Sequence, residues 1–264
     1  MLLREVEYAK PKSAAEALDL LAANDGARAL AGGQTLINVM KARAASPDML
    51  VDLNGLGELK GIELAGDGTL TIGAMTTYTE LMRSAEAKAR PILGEVCATI
   101  ADVQVRNRGT IGGNVCSNDP TNHLPPLMVA IGATMTVLGQ DGERVVPAEE
   151  FFLGVYMTAV GPGELLTQIC IPAGKKDGFA AVTLGAEGTC IANAAATVNG
   201  NVRVALGCVD AVPVVVTADS PDGVADAVRA AAIDPPSDVH ASADYRLHLA
   251  TVLATRAAKE AAAR

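Results

Sequence analysis

Apolar and polar positions along this chain switch between a period near two and a period near 3.6, and the switches mark its elements. Val6 to Ala9 reads as a short strand ended by Lys10-Pro11. Ser13 and Glu16 form a capping box, and Ala17, Leu18, Leu20 and Leu21 give an amphipathic helix that closes around Asn24-Asp25-Gly26. Ala27–Ala31 is a second strand, Leu36–Ala45 a helix with Ile37, Met40 and Ala44 on one face, and Met49–Leu53 a third strand. These elements make a β-α-β-α-β unit. A hairpin follows, residues 61–65 and 69–73, turned by Gly66-Asp67-Gly68. Thr76 or Thr77 caps a helix carrying Leu81 and Met82, and Pro91–Ala101 reads as a mostly apolar helix. Leu127–Ile131 is a short helix, and residues 134–138 and 144–146 form another hairpin.

From Leu165 the pattern becomes successive short strands: 165–171, 179–184, 192–198 and 202–207, with Asn199-Gly200 as a hairpin turn. Two helices over 222–232 and 244–263 finish the chain, the second capped by Ser242. The change of pattern sets a boundary near residues 160–170.

Composition narrows the function. Half of the 264 residues are hydrophobic, many of them alanine, and only seven are aromatic. A net charge of −9 argues against a general nucleic-acid or membrane-surface binder. No uninterrupted apolar run reaches the length of a spanning helix, so stable membrane insertion is not expected. Cys97, Cys116, Cys170, Cys190 and Cys208 contain no C-x-x-C pair, which argues against zinc or iron–sulfur ligation by this chain. Their odd number and the early acidic residues Glu5 and Glu7 fit a cytoplasmic protein without a secretory leader.

Two glycine segments carry the candidate chemistry. Ala31-Gly32-Gly33-Gln34-Thr35 lies between a strand and a helix, and Thr110-Ile111-Gly112-Gly113-Asn114 follows Val103–Arg108. Glycine lets backbone approach a ligand closely, and exposed N–H groups in such a loop suit a phosphate or pyrophosphate. Neither segment is G-x-G-x-x-G, so the ordinary Rossmann fingerprint is absent. Two similar segments predict two walls of one nucleotide site. Cys116–Asn122 is a dense polar cluster beside the second, read as lining that site. Lys41 and Arg43 are read as solvated helix charges, and His123, His240 and His248 as structural or surface residues.

These segments resemble a family. Ala31–Ile37, Val51–Leu53, Ile72–Thr77, Arg106–Asn114 and Ser242–Arg246 match, in order and spacing, the FAD-binding medium subunit of molybdenum hydroxylases, a group that includes aerobic carbon monoxide dehydrogenases and is similar to the flavin domain of xanthine dehydrogenase. The resemblance implies an α+β fold: a two-subdomain FAD-binding fold of the vanillyl-alcohol-oxidase-like (PCMH) type plus a C-terminal α/β subdomain with an antiparallel sheet. The implied subdomains are 1–55, 56–164 and 165–264. By position, Ala31, Gly32, Gly33, Gln34, Thr35 and Leu36 would hold FAD from one side, and Thr110, Ile111, Gly112, Gly113 and Asn114 from the other. Thr76, Ala101 and Asp119 would contact the flavin nucleotide, and Leu165 or Leu166 would lie near the adenine or the ring. The resemblance further implies an electron-transfer subunit. Its partners would be a large subunit with molybdenum–cytosine dinucleotide and a small subunit with two [2Fe–2S] clusters, as a dimer of heterotrimers serving an external electron acceptor.

The sequence departs from the family at two places. The strand 179–184 has no lysine, and Gly188-Thr189-Cys190-Ile191-Ala192 lacks the family's Tyr, Asp-Ile or Asp-Tyr step. A stand-alone FAD-dependent reductase or oxidase of the same fold is the alternative, with Tyr156, Glu187 and Tyr245 as its candidate acids or bases. A non-catalytic nucleotide-binding module is a third reading, distinguished by failure to take up flavin.

Overall fold

A computed structural model describes residues 2–174, 176–185 and 188–264. The first unit is a parallel three-stranded sheet: β1 (Glu7–Ala9) and β2 (Ala27–Leu30) flank β3 (Met49–Asp52), with α1 (Ala14–Ala23) and α2 (Leu36–Lys41) as crossovers. Ser13 caps α1 by accepting from Glu16 N, but the Glu16 carboxylate reaches back to Lys12 N rather than to the cap residue itself. Helix α2 ends four residues earlier than expected, because Arg43 turns to a left-handed φ of 63°.

The second unit is an antiparallel five-stranded sheet. It contains the hairpin β4 (Ile62–Leu64) and β5 (Leu70–Gly73), and, after α3 (Tyr78–Arg83), α4 (Ile92–Ala98), α5 (Val103–Arg106), α6 (Ile111–Ser117) and α7 (Leu124–Ala130), the hairpin β6 (Thr134–Gly139) and β7 (Gly142–Pro147). Thr77, not Thr76, caps α3, in a full capping box with Glu80. Helix α4 is shorter than the expected 91–101. Helix α7 starts three residues before the expected Leu127, because Pro125 and Pro126 fall in its first turn, where no N–H is needed. A short turn α8 (Ala148–Phe151) leads to the small hairpin β8 (Phe152–Gly154) and β9 (Met157–Thr158).

The next strand corrects the expected partition. β10 (Leu165–Ile171) was expected to open the C-terminal unit. Instead it is the central strand of the five-stranded sheet, pairing β5 on one side and β6 on the other. Its side chains serve two cores: Leu165 joins the cluster of Leu18, Leu21 and Val51 of the first unit, and Leu166 that of Ile72, Ile111 and Phe151 of the second.

The C-terminal unit is an antiparallel sheet in the order β11 (Asp177–Thr183), β12 (Cys190–Asn199), β13 (Asn201–Gly207) and β14 (Val214–Ala218), followed by α9 (Val224–Ala230) and α10 (Ala243–Ala263). The edge strand β14 was not expected, since Pro213 masks the start of its valine run. Alanine richness finds its reason here. Ala192, Ala194 and Ala196 of β12 meet Ala250, Ala254, Ala257 and Ala261 of α10, all inaccessible to solvent. The helix then lies so close to the sheet that a Cβ at Gly178 would sit 2.1 Å from the Ala257 carbonyl oxygen. Gly178→Ala is therefore expected to cost about 1–3 kcal/mol through overpacking, read as a lower urea midpoint at unchanged slope. An unchanged midpoint would show that α10 shifts freely.

A buried ion pair helps join the second and third units. Arg90 Nε and Nη2 bond both carboxylate oxygens of Asp177 at 2.8 Å, with both side chains buried, and Arg90 Nη1 donates to the Pro172 carbonyl at 2.5 Å.

Candidate functional site

The two glycine segments are neighbours in space, and they do different work. A Cβ at Gly32 would stand 2.2 Å from the Arg108 carbonyl oxygen and 2.9 Å from Gly109 Cα. A Cβ at Gly113 would stand 3.3 Å from the Ala31 side chain. Only glycine permits this backbone-on-backbone approach.

In the second segment the N–H groups are consumed internally. Ile111 N bonds Thr76 O at 3.0 Å, Gly112 N bonds Ala74 O at 2.8 Å, Gly113 N bonds Thr110 Oγ1 at 3.0 Å, and Asn114 N bonds Thr110 O at 3.1 Å. Residues 111–114 are the first turn of α6, capped by Thr110, rather than a loop. Gly112 is needed for packing, since its Cβ would lie 2.6 Å from Ala74.

The first segment is the opposite case. Gly33 has a φ of 73°, and among the described residues no acceptor meets the N–H groups of Gly32, Gly33, Gln34 and Thr35. Together with Ile37, Asn38, Lys41 and Arg108, the first three of these line a cavity of about 290 Å³. Lys41 and Arg108 form no ion pair among the described residues. Arg43, by contrast, turns away to the Leu2 carbonyl at 2.8 Å. Spacing along the chain gives no signal for Arg108, which reaches this cavity only because the two segments pack together.

The free segment is held from behind. Asn54 Nδ2 donates to Ala31 O at 2.9 Å and to Asp52 Oδ1 at 2.6 Å, and Tyr8 donates to Asp52 Oδ2. Burial opposes ionisation of Asp52, yet the bonds from Tyr8 and Asn54 leave its carboxyl below the ordinary range. Asn54→Ala should loosen the Ala31–Gly32 peptide and weaken flavin binding roughly five- to tenfold, about 1–1.4 kcal/mol for one lost bond, as measured by flavin fluorescence. Unaltered affinity would remove this network from the site.

The remaining expected residues lie as follows. Thr76 Oγ1 tethers Gly61 through its N–H at 3.2 Å and its carbonyl at 3.1 Å. Ala101 adopts a φ of 43°, and its carbonyl accepts from Arg106. Leu165 and Leu166 are buried in core clusters, away from the cavity. Leu36 is half-buried at the start of α2. Asn114 gives its Nδ2 to Tyr78 OH at 2.9 Å, while its buried Oδ1 lacks a partner, which leaves an acceptor open beside the second segment. Asp119 is engaged within the chain: Oδ1 accepts from Thr121 N and Oγ1, and Oδ2 accepts from Tyr156 OH at 2.9 Å. Partial burial and then the Asp119 carboxylate push the Tyr156 hydroxyl up to about 12, so Tyr156 is a donor and no base at neutral pH. Tyr245 is half exposed at the start of α10. Glu187 lies outside the described residues.

Residues 4–174 match the family described as "FAD binding domain in molybdopterin dehydrogenase". The chain belongs to this family. It is 38% identical to the carbon monoxide dehydrogenase medium chain of Afipia carboxidovorans, over 100% of this chain and 99% of the relative. It is 35% identical to the glyceraldehyde dehydrogenase medium chain of Sulfolobus acidocaldarius, over 98% and 99%. In three dimensions it superposes on a chain of the Cu,Mo-CO dehydrogenase structure with a TM-score of 0.92, at 37% identity and 100% and 99% coverage. A chain of quinoline 2-oxidoreductase from Pseudomonas putida 86 gives a TM-score of 0.90, at 32% identity and 100% and 99% coverage. The chain is thus a FAD-binding medium subunit of a molybdenum hydroxylase, an oxidoreductase component, and FAD is its cofactor. Its own residues fit that cofactor: free N–H groups, two unpaired cations and a glycine cradle meet the needs of a diphosphate. No helix among the described residues is long and apolar enough to cross a membrane.

Proposed function

We propose that this chain is the electron-transfer subunit of a three-subunit hydroxylase. It stands between [2Fe–2S] clusters on a small subunit and an external acceptor, while a large subunit with molybdenum–cytosine dinucleotide carries the substrate chemistry, all in a cytoplasmic dimer of heterotrimers. The observation that carries this reading is that Gly32, Gly33 and Gln34, whose N–H groups meet no acceptor among the described residues, line the same cavity as Lys41 and Arg108. Bound FAD supplies the redox chemistry. The protein's part is to hold and orient it. The N–H groups of the first segment would bind the diphosphate, Lys41 and Arg108 would balance its charge, and the second segment would form the rigid wall behind. Asp119 and Tyr156 would fix the polar segment 117–122 as the adjoining rim. The names of the carbon monoxide and glyceraldehyde dehydrogenase relatives, both medium chains, support the subunit assignment. No structural observation favours the stand-alone enzyme.

The test is a visible spectrum of the chain purified gently from its host. Flavin bands over broad iron–sulfur absorption, with two co-purifying chains, are the expected result. A colourless chain that takes up no added FAD would overturn the assignment of the site, and flavin on a chain that never captures partners would overturn the assembly.

A further inference from the structure

Behind the polar segment 117–122 lies a buried cluster that the flavin site does not use. Cys190 opens β12 and Cys208 follows β13, so both lie just beyond the Asn193–Gly207 end of the ladder between these strands. Both are buried, and one amide serves both: Asn193 Nδ2 lies 3.4 Å from Cys190 Sγ and 3.7 Å from Cys208 Sγ. The same nitrogen is 3.3 Å from His123 Nδ1 and 3.3 Å from the Asn122 carbonyl. Among the described residues, Asn193 Oδ1 is buried without a partner. Cys208 leaves the ladder with a φ of 65°.

We propose that Cys190 and Cys208 are a redox-active thiol pair that reduces a peroxide and closes into an intramolecular disulfide. The two sulfurs have unequal roles. Cys208 donates its S–H to Cys190, and this bond, against burial and with help from His123, draws the Cys190 thiol well below its ordinary range. The complementary effect pushes Cys208 up, through the same bond first, then burial and the charge of Cys190. Arg246 of α10 and Asp119 are the other charged groups facing the pair. Arg246 donates to the carbonyls of Ile191 and Cys208, pinning the backbone beside both sulfurs.

The chemistry balances with a peroxide as oxidant. The Cys190 thiolate attacks one peroxide oxygen, the O–O bond breaks, and a sulfenic acid forms as the leaving oxygen takes a proton and departs as water. Cys208 then attacks the Cys190 sulfur. The S–S bond forms, the S–O bond breaks, and the Cys208 proton leaves with the second water. Two thiols give two electrons, and one hydrogen peroxide becomes two waters. Cys190 directly follows the exposed pair Gly188-Thr189. Buried Cys97 and half-buried Cys116 differ: desolvation alone pushes both thiols up to about 12, which leaves them protonated and inert.

The test uses the full chain with its flavin bound. Hydrogen peroxide is raised until Cys170, a half-buried control, begins to oxidise. The protein is then denatured, alkylated and mapped by mass. The expected result is loss of two alkylatable thiols at Cys190 and Cys208 together, as a linked peptide lighter by two hydrogens and restored by dithiothreitol, at a peroxide dose at least tenfold below that for Cys97. In Cys208→Ser, Cys190 should stop at a sulfenic acid trapped by dimedone. Both thiols remaining alkylatable when Cys170 is oxidised would overturn the proposal, as would oxidation of Cys190 alone in the unaltered chain. The mapping of the unaltered chain decides the matter even where a variant fails to fold.

Discussion

Gly32→Val is expected to leave a folded chain that retains less than a tenth of its flavin. The position is the tightest contact between the two segments proposed to form the site. Its Cβ would lie 2.2 Å from the Arg108 carbonyl oxygen and 2.8 Å from the carbon bonded to it, both backbone atoms that cannot rotate aside. Accommodation requires the 31–35 segment and the 108–110 segment to part. That moves Arg108 away from the cavity and reorients the free N–H groups. Overpacking of this kind costs about 1–3 kcal/mol. Charged hydrogen bonds to the diphosphate lost with it add about 1.5–3 kcal/mol each, and at 1.4 kcal/mol per decade the affinity falls roughly a hundredfold or more. The control is Gly57→Ala, where nothing lies within 4 Å of a Cβ. Flavin-to-protein absorbance ratio and far-ultraviolet circular dichroism are the readouts. Full flavin content in a folded Gly32→Val chain would end the assignment of these segments.

Asp177→Ala is expected to give the largest stability loss. It strips both partner oxygens from a guanidinium that is 4% exposed, leaving a buried cation with one carbonyl for company. Breaking a buried pair by removing one member costs about 3–5 kcal/mol, because the remaining charge stays desolvated. For a chain of this size each kcal/mol lowers Tm by about 2–4 °C, so a drop of roughly 6–20 °C is expected by calorimetry. The paired replacement of Arg90 by Met and Asp177 by Leu should recover most of it, since a buried ion pair and an apolar pair of similar volume come out nearly even. A single variant as stable as the parent would mean that water already reaches Arg90.

Much of the architecture was legible because local chemistry marks it. Ser13, Thr77 and Ser242 announce helix starts, Gly66-Asp67-Gly68 and Asn199-Gly200 announce hairpins, and the βαβαβ unit follows from its alternation of periods. The place of Leu165–Ile171 was not legible, because which strand a strand pairs with is a non-local fact that periodicity does not encode. The same limit applied to the site. Gly32-Gly33 and Gly112-Gly113 read alike as glycine pairs, yet one pair leaves N–H groups free while the other serves close packing against Ala74. Cys190 and Cys208 stand far apart in the chain, so C-x-x-C reasoning passed over them.

The position of β10 also sets a schedule. The hairpins β4–β5 and β6–β7 leave the ribosome first, but β5 and β6 are not each other's neighbours; both wait for a strand made later. At about 5–20 residues per second, roughly two to six seconds of translation separate the end of β6 from the end of β10. During that interval two apolar hairpins present open edges, the condition in which nascent chains misassociate. The wall proposed for the flavin site waits as well, since Gly112 hangs from the Ala74 carbonyl and Ala74 N hangs from Thr167 of β10. Cofactor capture is therefore a late event in the birth of this subunit, and synonymous changes that slow translation across 140–171 would lengthen the vulnerable window without altering a single side chain.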